Sequence, residues 1–190
     1  MRRSADGVLM CVHDPLLASN ARPVVEMSAA DLTQAGIPIL ADLVAAAAGG
    51  RLVIEVKNIL GEPDYSRESV TAQLLVEELS RLSVGADVLI SSFDPVSLDV
   101  ARAAGWPTGL LTIPGVSTKE GLAYVVEHGY DELHAHVSTI DDESAPSVHD
   151  AGLVLVAWTV TTLSEVVPLR DRGVDVAICD DPAGAVGLLA

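Results

Sequence analysis

Two polar residues close an otherwise apolar run in RLVIEVKN (51–58), namely Glu55 and Lys57. Alternation along a strand sends residues 55 and 57 to one face, so a carboxylate and an ammonium project together. Buried charge is costly unless matched, so one reading is a satisfied ion pair. The other is a site in which Glu55 is a hard oxygen ligand suited to Mg²⁺ or Ca²⁺. Lys57 would then neutralise an anionic substrate, most naturally a phosphate. A second candidate ends VLMCVHDP (8–15). The His13 imidazole titrates near neutral pH and suits general acid or base work. Its bland alternative is a packed histidine followed by an Asp-Pro turn.

Other polar residues close later runs: Ser91, Ser92 and Asp94, then His134 and His136, then Trp158 and Thr159, then Asp180 and Asp181. His134 and His136 share a strand face, but that spacing is not by itself a metal signature. Trp158 is a core residue by default and the wall of a substrate pocket if its strand end faces one. His128 and His149 fall in helical stretches and read as surface residues.

These groups need a scaffold that gathers strand ends. The apolar runs VLMCV (8–12), RLVIEV (51–56), DVLISSF (87–93), TGLLT (108–112), ELHAHV (132–137), LVLVAWTV (153–160) and DVAIC (175–179) are short and rich in Val, Ile and Leu. Most are apolar throughout, the pattern of parallel strands buried on both faces. Helical spacing fills the gaps, as in SRESVTAQLLVEELSRL (66–82). Ser117 with Glu120, and Thr162 with Glu165, have capping-box spacing. Asp94-Pro95 opens a helix running to Ala104. Gly49, Gly85, Gly105, Gly129, Gly152 and Gly173 stand where helices must stop. Serial βα units without a glycine-rich phosphate loop predict an α/β fold of the (βα)8-barrel type, whose active site lies at the C-terminal strand ends. Such a barrel takes about 250 residues, so 190 residues predict about two missing βα units. The segment from Leu16 to Gly36 would lie near the mouth.

Composition narrows the partners. A formal net charge of -16 repels phosphate backbones and anionic surfaces, which argues against nucleic acid. No apolar run approaches the roughly 18 residues needed to span a bilayer, which argues against membrane insertion. Asp6 and Gly7 interrupt any secretory apolar stretch, and the chain reads as cytoplasmic. Cys11 and Cys179 read as buried free thiols.

Taken together, ADGVLMCVHDP (5–15), IPILADLV (37–44), RLVIEVKN (51–58), VLISSFDP (88–95), ELHAH (132–136), VLVAWTV (154–160) and AICDDPAG (177–184) resemble the glycerophosphodiester phosphodiesterase family. The resemblance implies a TIM-like barrel of the phospholipase C-like phosphodiesterase type. It implies cleavage of a small-molecule glycerophosphodiester to glycerol 3-phosphate and an alcohol, with a divalent cation. By resemblance, His13 is one of two acid–base histidines, Glu55 a metal ligand and Lys57 the lysine beside metal and phosphate. Phe93 and Trp158 resemble pocket-wall aromatics, and His136 matches a histidine found at that strand end.

The family's other groups, a His-Arg pair ending the first strand and a Glu-x-Asp pair ending the second, belong upstream of the segments matched in these 190 residues. Met1 stands where family members carry a valine just after the Glu-x-Asp pair, and a GTG valine codon read as a start would give Met. The expectation is therefore an N-terminally truncated member, a single incomplete domain over 1–190 with little or no activity. Open strand edges in such a chain would favour self-association. Two other classes compete: a barrel aldolase using Lys57 as a Schiff base, and a non-catalytic or decayed barrel protein.

Overall fold

The computed structural model describes residues 1–47, 49–82 and 87–189, so Gly85 lies outside the described residues. Packing divides the chain into two compact units, Met1–Thr108 and Gly109–Ala190.

The first unit opens on a hairpin. β1 (Arg2–Arg3) pairs antiparallel with β2 (Leu9–Met10), placing Arg2 opposite Met10. Gly7, at φ +79°, makes the connecting turn with a backbone geometry that other residues adopt only with strain. The run 8–12, expected as a barrel strand, thus contributes two residues to a hairpin. Beyond it Val12 N turns back to Met10 O. Residues 16–36 fold as a short 3-10 turn, Val24–Glu26, and α1 (Ala29–Gln34), capped by Ser28. Met10, Val24, Met27 and Leu32 give this arm a small core of its own.

α2 (Leu40–Ala46), β3 (Arg51–Glu55), α3 (Val70–Arg81), β4 (Asp87–Ser92) and α4 (Pro95–Ala103) follow. β3 and β4 run parallel, in register from Arg51 opposite Asp87 to Glu55 opposite Ser91. Ala72, Leu75 and Leu79 of α3 recur at helical spacing and pack against Ile54, Val88 and Ile90. The sequence pattern starts this helix at residue 66, but it begins at Val70. Ser69 is left-handed at φ 48°, which no α-helix passes through. Asp94 caps α4 as expected, accepting from Val96 N and Ser97 N.

The second unit repeats one motif. β5 (Thr108–Leu111), whose first residue ends the first unit, is followed by α5 (Thr118–His128), β6 (Glu132–His136), α6 (Ser144–Asp150), β7 (Val154–Val160), α7 (Val166–Asp171), β8 (Val176–Cys179) and α8 (Pro182–Leu189). β6 lies between β5 and β7, β7 also pairs with β8, and all run parallel. The Ser117–Glu120 capping box starts α5, and left-handed Gly129 ends it. The Thr162–Glu165 box precedes a 3-10 turn, Leu163–Glu165, that leads into α7.

The α/β alternation is as expected, with six parallel strands among the described residues. Burial on both faces holds for β4, β5 and β6 but not for β3 or β8, where Val53, Val176 and Ile178 are exposed. Neither strand has a described neighbour along its outer edge, apart from Met1 at the end of β3. The two cysteines are free thiols, half-buried where full burial was expected. No described helix is long and apolar enough to cross a membrane.

Close approach between β5 and β6 makes one glycine indispensable. A Cβ on Gly109 would stand 2.5 Å from His134 Nε2, whose ring is fully buried. Gly109→Ala is expected to destabilise the chain by about 1–3 kcal/mol, read as a lower urea midpoint with an unchanged slope.

Candidate active site

Lys57 and Glu55 meet as alternation requires. Lys57 Nζ donates to Glu55 Oε1 at 2.6 Å, and the lysine side chain is 6% exposed against 29% for the glutamate. Lys57 N donates to Met1 O at 3.1 Å, and the Met1 amino group donates to Glu55 O. The backbone on both sides of Val56 is therefore held. The pair borders an open cavity of about 230 Å³, with His13 on its rim and Cys11, Leu43 and Val53 among its apolar walls. Burial raises the Cys11 thiol above its ordinary pKa.

His13 does not end a parallel strand. It sits in the loop beyond the hairpin, with its side chain 78% exposed. Its Nδ1 lies 2.8 Å from Asp14 Oδ1, and this hydrogen bond lowers the Asp14 carboxyl below its ordinary range. The Asp-Pro that reads as a turn thus also supplies the partner that orients the imidazole.

What fixes the His13 backbone is Arg2, which sequence reasoning missed. Its side chain is 2% exposed, and its planar fork reaches three residues on two other segments. Nη1 donates to Asp64 Oδ1 and Oδ2 at 2.7 and 2.9 Å, Nη2 to Glu62 Oε2 at 2.8 Å, and Nε to the His13 carbonyl at 2.8 Å. Arg3 Nη1 donates to the Asp64 carbonyl at 2.7 Å. Asn58 performs a similar task at the other end of that loop. Its amide nitrogen donates to Ser66 O and Asp94 Oδ2, and its amide oxygen accepts from Ser66 N. The signals were an arginine at the start of the hairpin and an Asn directly after Lys57. Neither names its partner, which lies 36 to 62 residues away.

Phe93 is half-buried and lines a separate cavity with Tyr65. The remaining candidates belong to the second unit. His134 and His136 share a face, but at different depths. His134 is fully buried, 3.0 Å from Glu132 Oε2, and lines no mouth. His136 is half-buried, its Nδ1 accepts from Ser138 N, and its ring meets Trp158 edge-on at 5.1 Å. Trp158 Nε1 donates to His134 O, so the indole is held at both ends. Asp181 caps the start of α8 through Gly184 N. His128 is half-buried and stacks on Tyr124, while His149 is exposed and pairs with Asp175.

The profile of the Glycerophosphoryl diester phosphodiesterase family matches residues 1–184. The chain belongs to this family. A phosphodiesterase of Oleispira antarctica, solved with the product sn-glycerol-3-phosphate, is 22% identical with a TM-score of 0.85, over 99% of this chain and 82% of that one. An Agrobacterium tumefaciens protein assigned as a glycerophosphoryl diester phosphodiesterase is 25% identical with a TM-score of 0.82, over 98% and 82% of the two chains. The glycerophosphodiester phosphodiesterase of Thermotoga maritima is 18% identical with a TM-score of 0.74, over 99% and 81%. No curated protein matches the chain.

The resemblance to glycerophosphodiester phosphodiesterases implies a divalent cation, and the donor set can be tested against one. Among the described residues no three His, Cys, Asp or Glu side chains come together to hold a metal. Glu55 is the carboxylate on the cavity, and Lys57 Nζ already stands 2.6 Å from it. A cation that takes about six oxygen ligands is not satisfied by that set.

Two measurements check this geometry. Arg2→Met leaves Asp64 buried without its counter-charge and is expected to cost about 3–5 kcal/mol in chemical unfolding. Adding Asp64→Leu should recover most of that loss. His13→Ala should return the Asp14 carboxyl upward to its ordinary range, seen by NMR titration of its side-chain carbon.

Proposed function

We propose that the chain supplies Lys57, His13 and Glu55 to a phosphoric diester hydrolase site that cleaves glycerophosphodiesters to glycerol 3-phosphate and an alcohol. The observation that carries this reading is the buried Lys57 ammonium, paired with Glu55 at the end of β3 and sharing one cavity with His13. The product complex of the Oleispira antarctica relative supports the substrate class.

Hydrolysis needs a proton removed from the attacking water, or from a glycerol hydroxyl whose cyclic phosphodiester product a water then opens, charge offset on the phosphoryl oxygens, and a proton returned to the departing alcohol oxygen. Lys57 offsets the charge by turning its ammonium from Glu55 to a phosphate oxygen. His13, with Nδ1 engaged by Asp14, presents Nε2 for one of the two proton transfers. By the family resemblance, His136 and Trp158 remain substrate-contact candidates of the second unit, and Phe93 a pocket wall of the first. Glu55 would be this chain's ligand toward Mg²⁺ or Ca²⁺ and alone would hold such a cation weakly. By the family resemblance, the complete reaction also draws on a His-Arg pair ending the first barrel strand and a Glu-x-Asp pair ending the second. The under-covered edges of β3 and β8 favour pairing between chains, so self-association belongs to the same proposal.

Release of choline from glycerophosphocholine tests it. The 190-residue chain is expected to show little or no turnover with Mg²⁺ or Ca²⁺. A chain extended at its N-terminus by a segment bearing both pairs should turn over, and His13→Ala or Lys57→Ala should lower that rate about 100-fold or more. An extended chain that stays inactive with either cation overturns the proposal. Brisk cation-dependent turnover by the 190 residues alone overturns the assignment of weak cation binding.

A further inference from the structure

The second unit holds a cavity of about 340 Å³ between the start of α5 and the stretch that leads from β6 into α6. Lys119 and Leu122 of α5 line one side of it, and Thr139, Asp141, Glu143 and Ser147 the other. Apart from Leu122, every described lining side chain is polar. None of these residues belongs to the proposed hydrolase site.

Lys119 is one of two lysines in the chain, and it is exposed. Among the described residues it has no hydrogen-bond or ion-pair partner, in a chain with 27 Asp and Glu. Its place in the first turn of α5 is unfavourable for a cation, because a helix presents its positive end there. An anion beside Lys119 would answer both positive charges. On the opposite wall the Glu143 carboxylate has no described partner. Asp141 Oδ1 accepts from Ser144 Oγ at 2.7 Å and from Glu143 N at 3.2 Å, while its Oδ2 has no described donor. The Ser144 hydroxyl holds the Asp141 carboxyl below its ordinary range, so this wall stays negative. Arg172 does not neutralise it, being spent on Asp142 at 2.9 Å.

Opposite charges thus line one cavity without meeting across it. A lone anion would satisfy Lys119 but face two carboxylates, and a lone cation would meet the reverse. A molecule that carries both charges is matched at both ends. Free acceptors on Asp141 and Glu143 favour a cation with N–H groups to donate.

We propose that this cavity is a binding site for a small zwitterion of the amino-acid type, its carboxylate at Lys119 and its ammonium at Asp141 and Glu143. The site lies within the second unit and does not depend on the hydrolase reading. Its wall is tied to the end of β6, since Thr118 Oγ1 donates to Thr139 O at 2.7 Å and Thr139 Oγ1 donates to His136 O at 2.8 Å. Occupancy is therefore felt at His136.

Amide NMR of the 190-residue chain tests it, with glycine, β-alanine and γ-aminobutyrate as zwitterions of increasing charge separation, against acetate and methylammonium. At least one zwitterion should shift the Thr118, Thr139 and Ser147 amides, with His136 moving alongside, and bind about 5-fold or more tighter than either single charge. Lys119→Gln and Glu143→Gln should each weaken it about 5-fold. Unmoved amides in the first unit will show that both variants keep their fold. Binding by no zwitterion beyond that of acetate and methylammonium overturns the site, as does binding that survives both Gln variants. Equal weak shifts from all five probes would mark ordinary screening of exposed charges and overturn it as well.

Discussion

The Arg2 guanidinium is the interaction on which the site depends. It ties three segments that have no ladder between them: the hairpin that carries it, the loop holding Glu62 and Asp64, and the His13 carbonyl. A lysine could neutralise Asp64 but could not reach three acceptors in one plane. Because both Arg2 and Asp64 are buried, the pair contributes less net stability than its short distances suggest. Its larger effect is on what happens when one partner is lost. The interaction selects one arrangement of the loops, and that arrangement is what puts an exposed histidine on the rim of the Lys57 cavity.

The Glu55–Lys57 pair shows why a structural reading and a functional one need not compete. A lysine that is almost wholly buried requires a counter-charge, and Glu55 provides it. That same requirement keeps the ammonium in place beside the cavity. The cavity's apolar walls, Leu43 and Val53 among them, thin the water around it, which strengthens any charge interaction there. On the proposed reading, resting state and working state would differ only in which anion the lysine faces.

Much of the fold was legible because buried parallel strands have a distinctive composition. Runs 51–56, 87–93, 108–112, 132–137, 153–160 and 175–179 all contain strands near their expected positions. The run 8–12 looked the same and was not one, since its apolarity serves a hairpin core with Val24, Met27 and Leu32. Alternation placed Glu55 with Lys57 and His134 with His136, but it carries no depth. It could not say that His134 is sealed inside while His136 reaches Trp158. Arg2 with Asp64, and Asn58 with Asp94, were illegible for a different reason. Each residue type was visible, but partners so distant in sequence are chosen by the tertiary fold and leave no local spacing to read.

The charge balance at the cavity sets the order in which binding forces must act. A phosphodiester approaching a chain of net charge -16 is repelled at long range, although salt limits that repulsion to about 8 Å at physiological ionic strength. At short range it finds Lys57 already neutralised, so the local field offers it little. The anion gains the ammonium only if Glu55 gives it up, and Glu55 gives it up only when positive charge replaces it. On the proposed reading, a cation supplying that charge would couple to the phosphate through this pair, and each would then tighten the other's binding by the same factor. One carboxylate set two residues from one lysine thus makes anion binding conditional.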